Sequence, residues 1–217
     1  MARAPLSDSR RRPLTKRRLL GIDRSGPPPP ATLPGQPLNP WTVPNLIGFV
    51  RLALIPVFLV LGLNSGDGRS APASILYAVI GGSDYLDGIA ARVTGQYSRL
   101  GVLLDPVTDR LLVASGVIVC WKFELLPRWA LAVLLGRELL MLVVAQLGLR
   151  RGIDIQVNVI GRTAVWPTMF SLFLAMVSTT WVAEALLYIG LAGSVAATVL
   201  YVRDGLAAMR APPSSSA

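Results

Sequence analysis

Four aspartates lie in sequence that is otherwise apolar. Asp84, Asp87, Asp105 and Asp109 fall within 26 positions of a chain that has only 12 acidic residues. A carboxylate in a membrane-length apolar segment is costly and marks a functional site. The competing use is ion pairing with Arg92 and Arg110, but four carboxylates exceed what two arginines neutralise. The spacing is helical. Asp84 and Asp87 are three apart, and Gly88, Ala91 and Arg92 continue their face; Asp105 and Asp109 are four apart, with Gly101 one turn earlier. The short link Gly95-Gln96-Tyr97 makes the two helices neighbours, so all four acids are expected to face one cavity. An all-oxygen ligand set favours Mg²⁺ or Mn²⁺ over zinc. Two such ions in one acid cluster serve phosphoryl chemistry. Arg92 suits a phosphate through paired hydrogen bonds, and Gly88 and Gly101 leave room beside the acids. The chain has no histidine and one cysteine, Cys120. That excludes Ser-His and Cys-His nucleophiles, a zinc site built on Cys and His, and an internal disulfide. A carboxylate is left as the expected general base.

The elements that hold these residues are long and apolar. Hydrophobic types make up 53% of the 217 residues and charged types 15%, against about 25% charged in ordinary soluble domains. A hydrocarbon core about 30 Å thick needs roughly 20 apolar residues per helix. Six stretches qualify: Val43–Leu63, Pro72–Thr94, Ser98–Phe123, Arg128–Leu149, Gly161–Ser178 and Trp181–Val202. The expected fold is an all-α integral membrane protein. Six transmembrane helices occupy 41–210, after a disordered, basic, proline-rich arm over 1–40 and before a short disordered tail over 211–217. Eight of the 21 basic residues lie in the first 24 positions, and Pro27 to Pro30 follow. With both termini on one side, the arm and Arg92, Arg99, Arg150, Arg151, Arg162, Arg203 and Arg210 are cytoplasmic, and only Arg69, Lys122 and Arg128 lie outside. The protein is thus expected in the cell membrane as a multi-pass chain, with the acid cluster on the cytoplasmic side. The arm is expected to meet anionic lipid, with no nucleic-acid partner.

The run D84-x2-D87-G88-x2-A91-R92-x8-G101-x3-D105-x3-D109 resembles the motif of the CDP-alcohol phosphotransferases. The likeness extends from Trp41 to Val202, because that family also has six membrane helices. It implies an enzyme that displaces CMP from a CDP-linked lipid with the hydroxyl of an acceptor alcohol. By the resemblance, Asp84, Asp87, Asp105 and Asp109 bind two metal ions, and Asp109 is also the proton acceptor. Gly88, Ala91, Arg92 and Ser98 attend the CDP group, Gly101 leaves it space, and the enzyme is a homodimer.

Pro44-Asn45-x2-Gly48-x2-Arg51 resembles the P-N-x-x-T-x-x-R segment of phosphatidylglycerophosphate synthases and related cardiolipin synthases. Asn45 is placed with the nucleotide on that basis, and Gly48 departs from the pattern by lacking a hydroxyl. Arg137-Glu138 and Gly161-Arg162 resemble further segments of the same group. Arg51, Arg137 and Arg162 are the candidate contacts for an acceptor phosphate; the structural alternatives are headgroup contact, a helix-tying pair and a positive-inside anchor respectively. The leading reaction is phosphatidyl transfer from CDP-diacylglycerol to glycerol 3-phosphate. The runner-up acceptor is phosphatidylglycerol, which gives cardiolipin. A cation or proton transporter is the reading from another class, and it predicts acids spread through the membrane depth rather than gathered at one end.

Overall fold

The computed structural model describes residues 39–150 and 159–210. The described residues form helices and no strand: α1 Val43–Leu63, α2 Ala71–Thr94, α3 Arg99–Lys122, α4 Arg128–Arg150, α5 Val159–Val177 and α6 Trp181–Arg210. Residues 1–38 of the arm expected over 1–40 and the tail over 211–217 lie outside the described residues, as do Asp154, Gln156 and Asn158.

Local chemistry sets where the first three helices begin. Thr42, Ser70 and Ser98 are N-caps in extended backbone, and their hydroxyls accept from the amides of Asn45, Ala73 and Gly101. Pro44 and Pro72 occupy the first turns of α1 and α2, where a missing N–H breaks no helical bond. Gly95 ends α2 in the left-handed region at φ 66°, a conformation that costs glycine little. Only Gln96 and Tyr97 then separate it from the cap of α3. α6 runs on to Arg210, beyond the expected Val202. Arg203 and Asp204 end the apolar run without ending the helix.

α1 packs extensively on both α2 and α3, and α5 and α6 form the other close pair. The core between them holds Phe58, Tyr77, Ile80, Leu112, Leu131, Leu172 and Leu187, all fully buried. Glycines permit the closest approaches. A Cβ on Gly62 would meet Val119 Cγ2 at 2.8 Å, and one on Gly190 would meet the Thr168 amide nitrogen at 2.9 Å. Ser171 Oγ donates to the Ala183 carbonyl at 2.6 Å and ties α5 to α6.

Every helix also turns large apolar side chains outward, among them Val57, Val79, Ile118, Leu139, Phe170 and Ile189. Exposed apolar surface on this scale marks an interaction with lipid or another protein. By length and composition, α1 and the Trp181–Leu200 part of α6 are apolar enough to cross a membrane. α2, α3 and α4 are as long, but they carry charged residues, those of the site in α2 and α3 and of the Arg137–Glu138 pair in α4, which lower their hydropathy.

Candidate active site

α1, α2 and α3 bring the site together through one buried arginine. Arg51 of α1 is 1% exposed. Its Nε donates to the Ile80 carbonyl at 3.2 Å, Nη1 to Asp84 Oδ1 at 3.0 Å, and Nη2 to Asp109 Oδ1 at 3.0 Å. The first and last acids of the motif, from different helices, therefore converge on one guanidinium. Their own side chains stay 40% and 37% exposed, so they remain open to a ligand. The backbone of Asp87 lies one turn beyond Asp84 in α2, and its side chain is outside the described residues. Among the described residues, no three acidic or sulfur side chains converge closely enough to chelate one ion. The donor chemistry nevertheless fits a hard divalent cation: carboxylate oxygens from α2 and α3 already share one positive charge.

Beside this row, a cavity of about 90 Å³ is lined by Asn45, Gly48, Gly88, Ser98, Gly101 and Asp105, among others. Its floor is tied by hydrogen bonds. Ser98 Oγ accepts from the Gly101 amide at 3.0 Å and donates to Asn45 Oδ1 at 2.8 Å. Asn45 Nδ2 donates to the carbonyls of Asn39 and Pro40 at 3.0 and 3.1 Å. Asn45 and Ser98, expected beside a nucleotide, thus also pin the entry to α1 against the start of α3. Gln96 adds to this by accepting from the Val43 amide at 3.0 Å. A Cβ on Gly101 would meet Asn45 Oδ1 at 2.9 Å and Ser98 Oγ at 3.2 Å. A Cβ on Gly88 would meet Arg92 Nη2 at 3.0 Å, so that glycine makes room for the guanidinium one turn on. Ala91 lines the same cavity. A Cβ on Gly48 would touch only Leu104 Cδ1, at 4.0 Å, so space for a side chain exists where the hydroxyl is missing.

A second cavity, about 310 Å³, shares no lining residue with the first. Asp84 and Asp109 form its polar end, and Gly82, Trp166, Phe170 and Phe173 line much of the rest. Sequence reading missed it because α5 supplies the aromatic wall, far along the chain from the motif.

The remaining candidates separate. Arg51 is buried among the acids, which excludes headgroup contact by snorkelling. Its partners lie 29 to 58 residues away in sequence. A lone arginine inside an apolar segment was the available signal, since it requires a carboxylate partner. Arg137 Nε donates to Thr198 Oγ1 at 3.2 Å, and its Nη1 donates to Glu138 Oε1. Glu138 Oε2 also lies 3.7 Å from Arg110 Nε. This network joins α3, α4 and α6, as a helix-tying pair would. Arg162 falls in the first turn of α5, and its side chain is outside the described residues.

The family model for CDP-alcohol phosphatidyltransferases matches residues 41–199, the span that holds both cavities and the acid row. The chain belongs to the CDP-alcohol phosphatidyltransferase family. It is 38% identical over 167 residues to the cardiolipin synthase (CMP-forming) of Streptomyces coelicolor, covering 74% of this chain and 77% of that one. It is 30% identical over 138 residues to the CDP-diacylglycerol–glycerol-3-phosphate 3-phosphatidyltransferase of Bacillus subtilis, covering 58% and 72%. Against a putative cardiolipin synthase of Mycobacterium tuberculosis it is 36% identical over 129 residues, covering 59% and 61%. The protein is therefore a phospholipid-synthesising transferase. It moves a phosphatidyl group from CDP-diacylglycerol to an alcohol and releases CMP.

Proposed function

We propose that the acceptor is phosphatidylglycerol and the product cardiolipin. The observation that carries this is the apolar cavity open to Asp84 and Asp109. An acceptor that brings its own acyl chains gains from such a wall, and a small dianion does not. The cardiolipin synthase of S. coelicolor, at 38% identity, supports the same choice. Glycerol 3-phosphate is the second reading. It is favoured by the B. subtilis relative, and Arg162 at the start of α5 would be its phosphate contact.

In this reading Asp84, Asp87, Asp105 and Asp109 hold two ions of Mg²⁺ or Mn²⁺. When bound, the metal supplies charge neutralisation at the diphosphate. The small cavity takes the cytidine nucleotide, with Arg92, beside Gly88, as the contact for its phosphates and Gly88 and Gly101 keeping the space open. The acceptor hydroxyl approaches from the apolar cavity, and Asp109 receives its proton. The hydroxyl oxygen bonds to the phosphorus that carries the diacylglycerol, and the bond from that phosphorus to CMP breaks. Most of the catalysis is then positioning and charge stabilisation. The bundle crosses the membrane six times, with both termini and the acid row cytoplasmic, and works as a homodimer.

The deciding experiment supplies the purified enzyme with CDP-diacylglycerol and either phosphatidylglycerol or glycerol 3-phosphate, then identifies the lipid product. Cardiolipin from the first mixture and no phosphatidylglycerophosphate from the second is the expected result. The reverse overturns the acceptor assignment.

A further inference from the structure

The metal reading gives the acid row its chemistry but leaves Arg51 without a task. A buried cation beside metal-binding carboxylates works against the metal, because it competes for the same negative charge. Ion pairs buried only for stability are poorly rewarded, since apolar residues of similar volume serve as well. Accessibility excludes a direct substrate contact: the Arg51 side chain is 2% exposed. What distinguishes it is geometry. Separate nitrogens of one planar fork hold Asp84 of α2 and Asp109 of α3, each at 3.0 Å, while the third anchors on the Ile80 carbonyl.

We propose that Arg51 is a positioning residue, a permanent internal cation that sets the separation of Asp84 and Asp109 and loosens the hold of the acid row on its divalent ions. The proposal rests on the metal reading of that row. Fixing the two carboxylates keeps the proton acceptor in register with the metal ligand on the facing helix. The guanidinium also relieves repulsion among like charges, so the row stays assembled before any ion arrives. A lysine cannot substitute, because its ammonium is a point charge on a flexible stem rather than a rigid fork.

The test measures Mn²⁺ binding by the electron paramagnetic resonance of free Mn²⁺, alongside steady-state turnover, in wild type, Arg51→Gln and Arg51→Lys. Removing the charge is expected to tighten Mn²⁺ binding about tenfold. In the same Arg51→Gln protein turnover falls about 100-fold through misplacement, with KM for CDP-diacylglycerol within about threefold of wild type. Arg51→Lys keeps Mn²⁺ affinity within about threefold yet loses at least about tenfold in turnover, because charge without the fork does not restore the register. Unchanged or weaker Mn²⁺ binding by folded Arg51→Gln overturns the proposal, as does wild-type turnover by Arg51→Lys. A rise in KM for the acceptor alone overturns it in favour of acceptor binding. Should Arg51→Gln fail to fold, the lysine variant decides alone, by its turnover at retained Mn²⁺ affinity. If wild type takes up no Mn²⁺, the metal reading fails first and this inference falls with it.

Discussion

Asp109 carries two demands at once, a bond to Arg51 Nη2 at 3.0 Å and an open side toward the apolar cavity. Loss of its charge with retention of its shape therefore removes proton acceptance together with its share of the metal site and of the Arg51 pair. Asp109→Asn is expected to lower turnover by about 10²–10⁴-fold, the range for a general base, with the protein still folded by circular dichroism. Near-normal turnover would remove Asp109 from the proton-transfer role. Exhaustive chelation is expected to abolish activity, and added Mg²⁺ or Mn²⁺ to restore it; full activity after chelation would contradict the metal assignment. Helical spacing places i, i+3 and i, i+4 residues on one face, yet the expectation that all four acids face one cavity does not hold: Asp84 and Asp109 open to the larger cavity, whereas Asp105 lines the smaller one. The partner that binds two of the acids was not legible from sequence. Arg51 meets Asp84 and Asp109 across 33 and 58 residues, a distance no local pattern encodes.

Helix limits were legible where capping chemistry is local. Thr42, Ser70 and Ser98 each stand before an apolar run, and each accepts the amide three residues on. The packing between helices was not legible, because it depends on which surfaces meet. Gly190 looks like any membrane-helix glycine until Thr168 is found against it. A Cβ there would lie 2.3 Å from Thr168 Oγ1 as well as close to the Thr168 backbone. Gly190→Val is accordingly expected to destabilise the α5–α6 pair by about 1–3 kcal/mol, read as a lower thermal midpoint in detergent. Gly48 behaves in the opposite way, since only Leu104 lies near its missing side chain. Gly48→Ser is expected to fold normally. A hydroxyl supplied to the small cavity is worth about 0.5–1.5 kcal/mol if it finds a partner. KM for CDP-diacylglycerol should then fall about two- to tenfold by that energy, and an unchanged KM would show that a hydroxyl here makes no contact with the nucleotide.

At the scale of the whole molecule, charge and apolar surface divide the labour. α1 and α6 carry the strongest membrane-crossing composition, while α2 and α3 trade hydropathy for the charged groups of the site and α4 for the Arg137–Glu138 pair. The proposed topology is testable with the single buried thiol, Cys120, as a silent background. Asp67→Cys should react with an impermeant maleimide from outside intact cells, and Gln96→Cys only after the membrane is opened. Equal labelling of both from outside would refute the sidedness. The two cavities that share no residue also shape the order of events. If the smaller cavity takes the nucleotide and the larger one the acceptor, as proposed, the two enter by separate doors and neither blocks the other. Steady-state rates should then follow random sequential addition. CMP should compete with CDP-diacylglycerol yet act as a noncompetitive inhibitor toward the acceptor, and spent nucleotide can depart while the new lipid is still leaving into the bilayer.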